Sequence, residues 1–230
     1  LTVQGTNTAG FLTITNGYFI LGGTGTFSNP LFSTAAYSIP STGGLWLNNA
    51  NATIVGLNGS PSLSGLLRVS AGTLNIGTSN NNMGFNSGAI INIDGGAVNS
   101  VARFGVASAS NSITYTQSGG TVTVNSLAGN TSSSLASFDM GTSSSTSFTM
   151  SGGTVILARG SANTELRGAA TGASISITGG AFQLGDASTT ASTTFRILGV
   201  TPNLVVNATN NPGVTLTGAL RVHGDLTING

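Results

Sequence analysis

Short runs of alternating apolar and polar residues recur along the chain, joined in pairs by small turns. Residues 91–98 read INIDGGAV, 115–122 YTQSGGTV, 148–155 FTMSGGTV, 175–182 ISITGGAF and 67–74 LRVSAGTL. Each has two apolar or nearly apolar positions two apart, a small polar residue, a Gly-Gly or Ala-Gly turn, and a second alternating run. Residues 12–19 (LTITNGYF) fit the frame with Asn-Gly, and 41–47 (STGGLWL) fit it more loosely. Alternation with period two predicts half-buried strands, and no segment holds a helical period over three turns.

The second glycines of these turns are Gly17, Gly44, Gly72, Gly96, Gly120, Gly153 and Gly180, spaced 27, 28, 24, 24, 33 and 27 residues apart. Self-similarity at such a period marks a solenoid whose loops vary while its strands stay in register. Two short strands leave part of each period unused, so a third is expected. It reads ARFG at 102–105, FDMG at 138–141, ELRG at 165–168 and FRI at 195–197. The prediction is an all-β, single-stranded parallel β-helix (β-solenoid) of about eight coils, each of three short strands. The rod would be roughly 40 Å long. It is read as a single domain, with less regular N-terminal coils over 1–66, regular Gly-Gly repeats over 67–184 and C-terminal coils with an open end over 185–230.

Side chains alternate across a strand, so alternate residues should stack inside the coil as apolar columns. After the turn the columns read Phe19, Leu74, Val98, Val122, Val155, Phe182 and Leu21, Ile76, Ser100, Val124, Leu157, Leu184. Before it they read Leu12, Leu67, Ile91, Tyr115, Phe148, Ile175 and Ile14, Val69, Ile93, Gln117, Met150, Ile177. Ser100 and Gln117 interrupt the columns and are expected to be hydrogen-bonded locally.

The recurring SGGTVTV, SGGTVIL and AGTLNIG units resemble the β-strand repeats of bacterial autotransporter-type passengers and related surface proteins. The resemblance covers most of residues 12–184. It implies a right-handed parallel β-helix, secreted or displayed on a bacterial surface, and offers no catalytic residue to carry over.

Composition narrows the functional classes. Of 230 residues, 35 are Gly, 33 Thr, 30 Ser and 23 Asn, while only 11 are charged. Hydrophobic residues make 39%, so the chain is not of the polar, highly charged kind that stays disordered. With no Cys and no Lys, disulfides, Cys-ligated metals, a Walker A lysine and Schiff-base chemistry are excluded. A net charge of +1 argues against nucleic acid as a partner. No apolar run approaches the roughly 18 residues of a membrane span. The chain opens on Leu1 rather than Met, which is read as a processed or partial chain. An extracellular or cell-surface location is expected from the Ser/Thr/Asn/Gly-rich, Cys-free composition.

Candidate chemistry is sparse. Asp94 stands at the turn position filled elsewhere by Ser118, Ser151 and Thr178, and reads as a turn acceptor. Setting Phe104, Met140, Leu166 and Ile197 inward puts Arg103, Asp139, Glu165 and Arg196 in one outward column. Adjacent carboxylates at Asp139 and Glu165 would suit a glycosidase or a carboxylate-poor calcium site. A surface charge ladder of little energetic weight is the favoured expectation. His223, the only histidine, stands with Asp225 in HGD where Ser70 stands in an earlier repeat, and reads as a solvated turn residue rather than an acid or base. Thr-x-Thr pairs at Thr13/Thr15, Thr114/Thr116, Thr121/Thr123 and Thr215/Thr217 do not recur once per coil, which argues against an ice-binding rank. Trp46, Phe27, Phe32 and Tyr37 are expected to pack in the core or at an end. Glycosylation sequons at Asn51, Asn58, Asn130 and Asn207 are near chance in so Asn-rich a chain. No cofactor or metal is expected.

The ends carry the functional expectation. Solenoid ends are open strand edges that invite another chain. Residues 226–230 read like 12–17, and residues 1–5 already read as a strand. The final coil of one copy, with Leu226 and Ile228, is expected to be completed by Leu1 and Val3 of the next, a head-to-tail contact that grows a filament. The leading function is therefore a structural subunit of an extracellular fibre or sheath, with itself as partner. The alternatives are an adhesin or passenger segment binding an extracellular polysaccharide or other surface protein, and a polysaccharide-active β-helix enzyme.

Overall fold

The computed structural model describes residues 10–161, 163–170 and 172–229. They form an all-β parallel solenoid, with no helix among them. A 12-stranded sheet bent at a corner supplies two faces and an 8-stranded sheet supplies the third. One coil shows the plan: Ile90–Ile93 on the first face, Ala97–Ser100 on the second and Phe104–Val106 on the third. Each of these three strands pairs in parallel with the coils before and after it. The larger sheet stacks nine levels, one more than the sequence spacing predicts.

The core is the set of columns that alternation requires. On the first face, Leu67, Ile91, Tyr115 and Phe148 are in register, followed by Ile175. On the second, Leu74, Val98, Val122, Val155, Phe182, Leu204 and Leu226 stack in order. Rings of neighbouring coils meet inside: Tyr115 stacks on Phe148 at 5.5 Å, and Phe138 meets Tyr115 edge-on at 5.6 Å. The two polar interruptions are satisfied. Gln117 accepts a 2.7 Å bond from the Tyr115 hydroxyl and donates to the Gly119 carbonyl, and the Ser100 hydroxyl donates to the Arg103 carbonyl.

The corner between the first two faces explains the double glycines. Gly72, Gly96, Gly120, Gly153 and Gly180 all have positive φ, which a side chain adopts only with strain. The glycine before each of the last four is needed for another reason: a Cβ on Gly95 would lie 2.1 Å from the Ser70 carbonyl oxygen.

The first two coils depart from the expected register. Phe19 pairs with Leu45 and Leu21 with Leu47, so they belong to the first face, not to the columns after the corner. Leu12 and Ile14 precede that strand, and Leu12 bridges Phe32. Gly43 and Gly44 lie within a strand. The corner of this coil is built by asparagines. Asn49 Nδ2 donates to the Gly25 carbonyl, Asn51 N–H donates to Asn49 Oδ1, and Asn51 Nδ2 donates to the Thr24 carbonyl. Side-chain amides here do what Gly-Gly does in later coils.

Candidate functional site

The four charged residues expected in one outward column lie in two rows, two residues apart. Phe138, not Met140, stands in the column of Phe104, Leu166 and Ile197. Asp139 is therefore opposite Arg167, while Glu165 shares a level with Arg196 and Arg103. The slip preserves parity, so both carboxylates still point away from the apolar core. They are nonetheless fully buried, because long loops fold over the third face, and Arg103 is buried with them. The expected surface charge ladder is thus a set of covered polar clasps.

Each carboxylate is occupied by its own loop. Asp139 Oδ2 accepts from the Ala136 N–H at 2.7 Å and Oδ1 from the Gly141 N–H at 2.9 Å. Arg167 Nη1 stands 3.5 Å from Oδ2 and its Nη2 donates to the Ser134 carbonyl. Arg103 donates to the Ala136 and Val106 carbonyls. Glu165 Oε1 accepts from both the N–H and the hydroxyl of Ser161, and Oε2 accepts from the Arg196 N–H. Arg196 Nη1 donates to the Ser161 carbonyl. Burial pushes the Asp139 carboxyl above its ordinary value, opposed by Arg167, by the N–H groups of Gly141 and Ala136 and by Arg103. Burial raises the Glu165 carboxyl too, opposed by the Arg196 N–H and Ser161. Neither carboxylate reaches solvent, so the pair does not offer a sugar the acid and nucleophile a glycosidase needs. Among the described residues no three acidic, His or Cys side chains cluster as a metal site.

Sequence reasoning missed Arg167, which clamps Asp139, and Arg159, which donates to the Asn125 and Ser126 carbonyls. The signal was weak, since each arginine contacts a loop roughly 33 residues away in sequence. Asn130 is buried and donates to the Leu135 carbonyl, so its sequon belongs to the clasp loop. His223 is exposed at a turn, its N–H bonded to the Thr201 carbonyl. The Thr-x-Thr pairs fall on different faces: Thr114/Thr116 on the first, Thr121/Thr123 on the second and Thr215/Thr217 on the third.

Asp94 stands at its turn and holds Arg68 through Oδ2, with bonds of 2.5 and 3.1 Å. Partial burial opposes ionisation, but hydrogen bonds from Ser70 and Arg68 and the Arg68 charge hold the carboxyl below its ordinary value. Trp46 corrects another expectation. It lies on the outer side of the first face, its indole N–H donating to Ser70 Oγ at 2.8 Å and Arg68 4.5 Å over its ring. Parity between the inward Leu45 and Leu47 places it there. Phe27 and Phe32 are core residues, with Tyr37 stacked on Phe32 at 3.6 Å.

At the C-terminal end the apolar columns emerge into solvent. Leu216, Leu226 and Ile228 continue the columns of Ile197, Leu204 and Val206, which are buried. They are 59%, 55% and 70% exposed. Leu1 and Val3, the expected partners of Leu226 and Ile228, lie outside the described residues. The fold defines a parallel β-solenoid, and its last described coil carries these exposed side chains. Comparison with protein-family models, curated proteins and solved structures finds no match.

Proposed function

We propose that this chain is a structural subunit of an extracellular fibre, filament or sheath, joined end to end by stacking of coils. The observation that carries the reading is the exposure of core-type side chains at Leu216, Leu226 and Ile228 beside the edge of Leu226–Ile228, which among the described residues pairs only with Asn203–Val206. An apolar strand edge is a template for another strand. The proposed occupant is a coil from a second copy, because a coil of the same alternation continues both the columns and the backbone ladder. Such a contact is heterologous and propagates instead of closing. The low charge supports it, since a surface with 5% charged residues opposes association little.

Electron microscopy of the chain over a concentration series at neutral pH tests the reading. Filaments that lengthen with concentration are expected, and Leu226→Asp with Ile228→Lys should abolish them while leaving the fold intact. Separate short rods at every concentration would overturn it and leave the covering of Leu216, Leu226 and Ile228 to a following coil or a capping partner.

A further inference from the structure

The outer side of the first face is chemically divided along the rod. Its first four coils carry Tyr18 and Ile20, Gly44 and Trp46, Leu66 and Arg68, then Ile90 and Asn92, in register. The next three carry only hydroxyls in the same two rows: Thr114 and Thr116, Ser147 and Thr149, Ser174 and Ser176. Tyr18 is 69% exposed, and Ile20 and Ile90 are also exposed. The Tyr18 ring covers Gly44, where an added Cβ would lie 2.5 Å from Cδ1 and 2.8 Å from Cε1. Glycine therefore lets the ring lie close against the backbone beneath it while most of its surface stays open. Trp46 sits in the neighbouring row one coil on, fixed by Ser70 and roofed by Arg68, whose charge is matched by Asp94.

We propose that this face binds a neutral polysaccharide lying along the rod axis, with Tyr18 as its stacking platform. A pyranose ring has an apolar C–H face and a rim of hydroxyls. The C–H face suits the electron-rich face of an aromatic ring. Ile20, Leu66 and Ile90 continue the apolar floor, and Asn92 and the Ser/Thr rows supply donors and acceptors for the rim. Coils repeat every 4.8 Å or so, close to the length of one sugar residue, so successive sugars meet successive coils. The ligand is neutral because the one charge in these rows, Arg68, is already paired.

Other macromolecules fit less well. The apolar floor spans roughly 15 Å by 7 Å, far below the roughly 800 Å² each partner contributes to a stable protein interface. An added peptide strand needs free backbone groups, and on this face those of the strands after the edge strand Gly17–Gly22 are taken up by the parallel ladder.

Trp46 is the only tryptophan, so its emission reports on this face directly. The full chain would be titrated with hexasaccharides of β-1,4-linked glucose, xylose and N-acetylglucosamine. Saturable change in emission with at least one is expected. Tyr18→Ala should weaken it about tenfold, whereas Tyr18→Phe, which keeps the ring, and Thr123→Ala, on the second face, should bind as the parent does. Thermal midpoints of the variants check folding, and Ile20→Ser serves if Tyr18→Ala proves unstable. No saturable change with any of the three sugars overturns the proposal, and so does unchanged affinity in Tyr18→Ala. Tyr18-dependent dimerisation without sugar binding would also overturn it, in favour of a protein contact. None of these readouts depends on whether rods join end to end.

Discussion

At Gly120 the backbone has φ +65°, and an added Cβ would lie 2.5 Å from the Gly95 carbonyl oxygen of the preceding coil. The left-handed conformation alone costs a side chain about 1–2 kcal/mol, and overpacking adds roughly 1–3 kcal/mol. Gly120→Ala should therefore destabilise by about 2–5 kcal/mol. Gly23 has φ +87° with nothing within 4 Å, so Gly23→Ala should cost only about 1–2 kcal/mol. Denaturant midpoints of the two variants separate conformation from crowding, and equal losses would show that the close coil contact contributes nothing. The glycines from Gly72 onward were legible because the pair recurs at one point of the alternation. Gly17 and Gly44 were not, since a glycine in sequence does not say whether it turns a corner. Gly17 has positive φ where a strand begins, and Gly44 makes room for Tyr18.

The loops over the third face are the elements that pattern reading left blank. Residues 125–137 have no apolar period, and their order comes from side chains of three coils: Arg103, Asp139 and Arg167. Leaving buried charges unpaired costs about 3–5 kcal/mol. Asp139→Ala should cost that much and expose the loop to protease cutting near Ser132–Ser134 before the rod itself unfolds. Loss of stability with no local cutting would show that the loop is held by something else.

Titration gives these same elements a signed test. The carboxyls of Asp139 and Glu165 have folded values raised above their ordinary 3.8 and 4.5. Protonation therefore favours the folded state. That stabilisation is complete below the ordinary values and is lost as pH rises through the folded ones. Asp94 has the opposite sign: its folded value is lowered from 3.8, and its contribution is lost as pH falls below that range. The melting midpoint should peak under mildly acidic conditions. Asp139→Asn or Glu165→Gln should flatten the decline towards neutral pH, and Asp94→Asn the decline towards strong acid, the latter weakly because the Arg68–Asp94 pair is partly exposed. Thermal melts from pH 3 to 8 read both slopes, and a neutral-side slope unchanged in Asp139→Asn would sink the assignment. The charges themselves were visible in the sequence. Their register was not, because a two-residue slip leaves the in–out parity unchanged and only the stacked neighbours reveal it.

For the molecule as a whole, parallel stacking was legible because the same short apolar ladder recurs at every level. The last levels, Asn203–Val206 and Leu226–Ile228, lack the Gly-Gly signature, so the glycine spacing alone did not place them. A solenoid whose coils touch only their neighbours should tolerate removal of one whole period. Thr73 pairs with Ala97, so deleting residues 73–96 joins Gly72 to Ala97 with every column in phase. Leu67 and Ile54 would then face Tyr115 and Val98, all of matching apolar character. The shortened chain should fold cooperatively, with its long axis reduced by about 4.8 Å. Deleting 73–84 alone removes two strand segments without closing a coil, sets the rest out of step and should give no cooperative transition. Circular dichroism and small-angle scattering distinguish the two chains. Failure of the whole-period deletion to fold would mean that stability is not shared coil by coil, and that the clasps on the third face tie distant coils into a single cooperative unit.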